Sequence, residues 1–146
     1  MSYFEIGIFH PRNNENIGTL WRSAYQLGAA GIFTIGRAYR RQTSDVVRAE
    51  YQIPLRHYLA FEDFEAARPV GALLVAIESG GIPLAQFHHP DQAIYLLGSE
   101  ANGLPPQVLA RCNAVVTIEA INKASYNVAV AGSLVMYHRV FRNPGL

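Results

Sequence analysis

Three apolar stretches of this 146-residue chain run into loops of small and polar residues, the first two with a pair of glycines. They are residues 77–81 (Ile-Glu-Ser-Gly-Gly), 98–103 (Gly-Ser-Glu-Ala-Asn-Gly) and 118–125 (Ile-Glu-Ala-Ile-Asn-Lys-Ala-Ser). Glycine lets a ligand approach backbone N–H and C=O groups closely. None of the three is a G-x-G-x-x-G fingerprint or a P-loop, so a dinucleotide or ATP phosphate cradle is unsupported. Each alone reads equally well as an ordinary turn. A fourth place is Arg22. At ~100° per residue it lies about 140° from Ile17, off an apolar helical stripe. Gly18, one turn earlier, leaves the space beside the guanidinium open, and Asn16 sits at the mouth of the helix. A guanidinium so placed can steady a developing oxyanion or hold a phosphate; from spacing alone it reads equally as a solvated surface charge. Metal chemistry finds no ligand set. His88 and His89 are adjacent, and Cys112 is the one cysteine, which also excludes an internal disulfide.

The elements that must position these residues alternate between strand and helix, which predicts an α/β fold with a largely parallel sheet flanked by helices. Strands are expected at 3–9, 31–35, 54–58, 70–77, 93–97 and 114–118. Ile17, Leu20, Trp21, Ala24 and Leu27 form one helical stripe, preceded by capping asparagines at 13, 14 and 16 and closed by Gly28. Shorter helices are expected at 44–50, 61–67 and 105–110, and a long one at 126–141. In that last helix Val128, Ala131, Gly132 and Val135 form one apolar face, and Val130, Leu134, Tyr137 and Phe141 another. A helix apolar on two sides needs cover on both, so a second copy of the chain is expected against it. No linker or repeat divides the chain, and residues 1–146 are taken as one domain.

Composition narrows the partners. Half the residues are hydrophobic and 16% charged, as in a folded globule. No apolar run reaches the ~18–20 residues of a membrane span, and a lone cysteine without a signal peptide fits the reducing cytoplasm. The net charge of +1 is unevenly spread. Residues 1–57 carry seven arginines against four acids, +3, while residues 58–146 carry five bases against seven acids, −2. Of the twelve bases only Lys123 is lysine. The forked guanidinium suits phosphates and bases, so Arg12, Arg37, Arg40 and Arg41 are candidate phosphate contacts, although genomic base composition would produce the same arginine excess.

Three segments together resemble the SpoU/TrmH family of RNA ribose 2′-O-methyltransferases, of the SPOUT class. They are Asn16-Ile17-Gly18-Thr19-Leu20-Trp21-Arg22-Ser23-Ala24, then Leu96-Leu97-Gly98-Ser99-Glu100-Ala101-Asn102-Gly103-Leu104, then Ser125-Tyr126-Asn127-Val128-Ala129-Val130-Ala131. The resemblance covers the whole chain and is nearest to the short branch made of the catalytic domain alone, which includes tRNA wobble-position methyltransferases. It implies a deep trefoil knot in the C-terminal part, S-adenosylmethionine (SAM) as cofactor, a homodimer, and an RNA substrate, tRNA in preference to rRNA. Carried over by position, Ile77, Gly98, Ile118 and Ser125 line the SAM pocket. Arg22 is the catalytic arginine, with Asn16, Glu100 and Asn127 as its polar support. Tyr126 stands where the third signature usually has Leu or Met, Glu119 where Pro is frequent, and Ser99 where Asn is common. The competing readings are a non-catalytic RNA-binding dimer on the same fold and a Rossmann-like nucleotide enzyme, the latter without its glycine fingerprint.

Overall fold

The computed structural model describes residues 2–39, 52–99 and 102–142. Glu100, Arg40, Arg41 and the helix expected at 44–50 lie outside the described residues. In chain order the elements are β1 (Tyr3–Phe9), α1 (Asn14–Gln26), β2 (Gly31–Ile35), β3 (Leu55–Tyr58), α2 (Phe61–Ala67), β4 (Leu73–Pro83), a 3₁₀ turn (Leu84–Gln86), β5 (Gln92–Leu97), α3 (Pro106–Leu109), β6 (Ala114–Thr117) and α4 (Val128–Phe141). The strands form one six-stranded sheet in the order β3-β2-β1-β5-β4-β6, and every neighbouring pair is parallel. A parallel sheet is covered on both faces, which is why its central strands read as near-continuous apolar runs. Ile6, Ile8, Ile32, Val75, Tyr95, Leu97 and Val116 point into the cluster shared with α1 and α4. Phe33, Ile35, Leu74, Ala76, Ile94 and Leu96 point the other way, into the cluster shared with α2 and α3.

Local rules explain the boundaries. Asn13 caps α1, its side chain accepting the Glu15 N–H at 2.7 Å. The helix therefore starts at Asn14, and Asn16 lies in its first turn. Asn127 caps α4 in the same way, accepting from the backbone N–H groups of Ala129 and Val130 at 2.9 and 3.1 Å. Strand β4 departs from expectation at both ends. Val70 is fully exposed and precedes it, and pairing with β6 resumes at Ile82 and Pro83 after an excursion at 78–81. A glycine pair normally ends a strand. Here Thr117 bridges the excursion, its hydroxyl donating to the Glu78 carbonyl at 2.6 Å and accepting the Gly81 N–H at 2.7 Å.

The two faces of α4 have different fates. Val128, Ala131 and Val135 are buried within the chain. So is Gly132, where a Cβ would lie 2.5 Å from the Leu20 side chain. Val130, Leu134, Tyr137 and Phe141 are 39–60% exposed. Only the second face is left for a partner, and a substitution at Gly132 would disturb the packing of α4 on α1 rather than an intermolecular contact.

Candidate active site

In an open parallel sheet, ligands bind at the carboxyl ends of the strands where the strand order reverses. Here the chain runs outward from β1 to β3, then crosses to β4 and β5 on the other side, so the reversal lies between β1 and β5. A cavity of about 390 Å³ opens beside it. All four residues proposed to hold a cofactor line this cavity: Ile77 at the end of the apolar part of β4, Gly98 after β5, Ile118 after β6 and Ser125 before α4. Its size falls in the ~300–1,000 Å³ range of small-molecule sites. Leu97, Val128 and Ala131 supply apolar wall, and Ser79, Ser99 and Asn102 polar groups. Among the described lining residues there is no arginine or lysine, and Glu78 is the one carboxylate. Apolar walls, backbone polar groups and the absence of a lining cation suit an adenosine that carries a sulfonium, so the residues present fit SAM.

The loops are cross-braced. The Glu78 carboxylate accepts the Leu104 N–H at 2.8 Å and the Ser79 N–H at 3.0 Å, tying the loop after β4 to the loop after β5. The latter is closed by a Gly103 N–H to Ser99 carbonyl bond of 3.1 Å, with Gly103 at φ +64°. Gly98 is required by the protein itself, since a Cβ there would stand 2.5 Å from the Gly103 carbonyl carbon. The two family departures near the third loop meet each other: the Tyr126 hydroxyl donates to the Glu119 carbonyl at 2.6 Å. The Glu119 carboxylate accepts the Ala85 N–H at 3.2 Å. Glu78 was not singled out from sequence; its signal was an isolated acid at the end of an apolar strand.

The polar residues assigned to catalysis are only partly brought together. The Asn127 side chain donates to the Asn16 side-chain oxygen at 3.0 Å, linking the first turn of α1 to the N-cap of α4 beside the cavity. Arg22 is exposed and does not line the cavity. It lies six residues beyond Asn16 on α1, about 9 Å along the axis. Arg12 and Arg37 line a second, adjoining cavity of about 410 Å³. Among the described residues no group of three His, Cys, Asp or Glu side chains could hold a metal ion, and no helix is long and apolar enough to cross a membrane. Burial, with Glu65 second, pushes the Cys112 thiol up to about 11, which leaves it a poor nucleophile.

Comparison with known proteins gives a consistent answer. A structure solved for the 2-OH methylation of C/U34 on tRNA superimposes with a TM-score of 0.83 at 27% identity, covering 99% of both chains. An AdoMet-bound rRNA methyltransferase from Sinorhizobium meliloti superimposes with a TM-score of 0.81 at 26% identity, over 94% of this chain and 55% of that one. A 23S rRNA (uridine(2479)-2′-O)-methyltransferase from Streptomyces viridochromogenes is 28% identical over 142 residues. The present chain spans about half the length of that relative. Residues 3–137 match the SpoU rRNA Methylase family as a whole, and the chain belongs to that family.

Proposed function

We propose that the protein is a SAM-dependent RNA methyltransferase that places a methyl group on a ribose 2′-oxygen, with tRNA as its substrate. The observation that carries this is that Ile77, Gly98, Ile118 and Ser125 line one and the same cavity, on a fold shared with AdoMet-bound relatives. Bound SAM supplies an electrophilic methyl group, and the three braced loops hold and orient it. The chain's own work is on the nucleophile. A ribose hydroxyl attacks poorly until its oxygen develops negative charge, and Arg22 stabilises that charge as a fixed cation. Its role is electrostatic, and the hydroxyl proton passes to water or to a phosphate oxygen of the RNA. Asn16 and Asn127, bonded to each other next to the cavity residues Tyr126 and Val128, are the polar support of that site. The preference for tRNA is supported by the likeness to the structure solved for the 2-OH methylation of C/U34 on tRNA.

A homodimer belongs to the same proposal. On α4, Val130, Leu134, Tyr137 and Phe141 form an exposed apolar stripe, and it begins at Tyr126, on the lip of the cavity. Arg22 is exposed on α1, which packs beside α4. Pairing two chains through this layer brings Arg22 of one protomer towards the cavity of its partner, which explains why Arg22 does not line its own. The deep trefoil knot is also part of the proposal, supported by the return of the chain from edge strand β6 to the sheet centre at α4.

Single-turnover transfer from methyl-labelled SAM to total RNA, followed by mapping of the modified nucleotide, tests the reading. The expected result is one ribose-methylated tRNA position. Saturable SAM binding without transfer to any tRNA or rRNA would leave a non-catalytic RNA-binding dimer. Arg22→Ala should slow transfer by about 10²–10³ while SAM affinity is unchanged. Leu134→Arg should convert a dimer to a 16.1 kDa species by light scattering; a wild-type protein already at that mass at micromolar concentration would remove the dimer.

A further inference from the structure

From the cavity formed at the ends of β1 and β2, we infer a phosphodiester-binding subsite in which His10, with Arg12 and Arg37, seats the RNA backbone beside the methylated ribose. The inference rests on the proposed RNA substrate and adds His10 and the place of contact. The cavity of about 410 Å³ is lined by His10, Pro11, Arg12, Gly36 and Arg37, and it shares Ser99 and Asn102 with the cofactor cavity. The two cavities thus flank the β5 exit loop at the reversal of strand order. A ribose presented to the methyl donor in the first places an adjoining phosphodiester in the second.

The chemistry of the lining points to an anion. Two exposed arginines face it, and no carboxylate is among the described residues that line it. The Arg37 guanidinium donates to the Arg12 carbonyl, which fixes its direction without neutralising its charge. Fixed guanidinium forks suit phosphate oxygens.

His10 is the built element. It is the one non-glycine residue with positive φ among the described residues, at +52°. Its backbone N–H still bonds to the Ile35 carbonyl at 2.8 Å, so the turn follows directly on the sheet. Gly36, at φ +94°, sits beneath the imidazole, and a Cβ there would lie 2.8 Å from the His10 ring nitrogen. The ring also packs against Phe9, with centroids 4.3 Å apart and the planes tilted by 35°. Yet it is exposed, and neither ring nitrogen has a hydrogen-bond partner among the described residues. A glycine at position 10 would make the same turn without strain. An imidazole kept in a costly backbone conformation, buttressed from below and with both nitrogens free, is placed to bind something outside the chain.

The test uses the full-length chain, bulk tRNA as probe, and three variants: His10→Gly, the double variant Arg12→Ala/Arg37→Ala, and Arg111→Ala as a control arginine paired with Glu65. His10→Gly should keep or raise Tm, since glycine adopts φ +52° freely, and leave SAM affinity unchanged. It should weaken tRNA binding about tenfold, the loss of one hydrogen bond to a charged group. A purely structural role would move Tm and not tRNA affinity. The double variant should flatten the plot of log affinity against log salt by roughly 1.4, at ~0.7 per phosphate contact of a single strand; Arg111→Ala should not. Wild-type tRNA affinity and salt slope in both test variants overturn the subsite, and if the same protein still transfers methyl groups the proposed function stands without it. The expected losses in a protein that transfers no methyl group uphold the subsite and overturn the proposed reaction. A wild-type chain that binds no RNA overturns both.

Discussion

At the amino-terminal edge of β1 and β5, Arg139 is 6% exposed and both terminal nitrogens of its guanidinium are bonded. It donates to the carbonyls of Pro90 and Asp91 at 2.7 and 2.9 Å, to the Tyr95 hydroxyl at 3.0 Å and to the Ser2 hydroxyl at 2.8 Å, with the Phe4 ring 4.9 Å away. Tyr95 bonds in turn to His89 at 2.6 Å, and His89 to His138 at 2.8 Å. At the carboxyl edge the polar groups are the reverse: Arg12 and His10 are exposed, and the braces there are spent on loop backbone. Helix α4 spans both edges, with Asn127 at the open one and His138 and Arg139 at the closed one. The contrast separates two uses of polar side chains. A buried donor set that finds all its partners within the chain holds the fold, and a preorganised set left without them awaits a ligand.

The closed edge should respond to mutation through stability alone. Arg139→Met fills similar volume but leaves the Pro90 and Asp91 carbonyls and the Tyr95 hydroxyl short of a donor. The expected cost is about 3 kcal/mol in urea unfolding, because several bonds to a charged group are lost at once. SAM affinity of the remaining folded protein should match wild type. A variant as stable as wild type, or a folded one with weakened SAM binding, would break the distinction between the edges.

The open edge should respond through binding first. Gly98→Ala drives a Cβ to within 2.5 Å of Gly103 and 2.8 Å of the Leu104 nitrogen, the group that Glu78 holds. Overpacking of this kind costs about 1–3 kcal/mol, and the displaced loop is a wall of the cavity. We expect SAM affinity measured by calorimetry to fall about 5–150-fold, with the circular dichroism of the sheet and helices retained. Unchanged affinity in a folded variant would detach this loop from the cofactor.

Much of this arrangement was legible in the sequence, and the rest has identifiable reasons for being hidden. Apolar runs located the parallel strands because both faces of the sheet are covered, and the asparagines at 13, 14 and 16 marked the start of α1 through capping chemistry, whereas the helix expected from 126 starts at Val128 with Asn127 as its cap. The outer face of α4 was visible as four apolar residues with no charge among them. Periodicity could not show which of its two faces the chain covers itself; the small residues at 131 and 132, packed against Leu20, decide that. The continuation of β4 past Gly80-Gly81 depends on Thr117, 36 residues beyond Gly81. Likewise the partners of Arg139 lie 44–49 residues away or at the opposite terminus. Distant partners of this kind leave no spacing signal. The cavity residues came from a resemblance in three segments, and they do line one cavity. Spacing on α1 could place Arg22 off the apolar stripe, but not say which cavity it faces.

The smallest expected effect concerns pH and sharpens the same contrast. Burial is the main cause that lowers His89 from 6.5 to about 4, with His138, Arg139 and His88 adding repulsion. His138 is lowered too, mainly by burial and then by Arg142, against an opposing pull from Glu119. The two rings share a hydrogen bond, which needs one donor and one acceptor, so the neutral pair is the stable form and its titration belongs to both. Between pH 6.5 and about 4 the unfolded chain binds a proton that the folded chain refuses. Stability from this source is therefore present above pH 6.5, falls as the pH drops through that window, and is lost by about pH 4. His89 is not fully buried, so solvent screening reduces the effect to about 1 kcal/mol. Melting curves between pH 7 and 4 should show a shallower decline for His89→Gln than for wild type. SAM affinity at pH 7 should be the same in both, because neither ring lines the cavity. Parallel declines would mean that His89 protonates in the fold as readily as out of it, and that the closed edge is wetter than its hydrogen bonds imply.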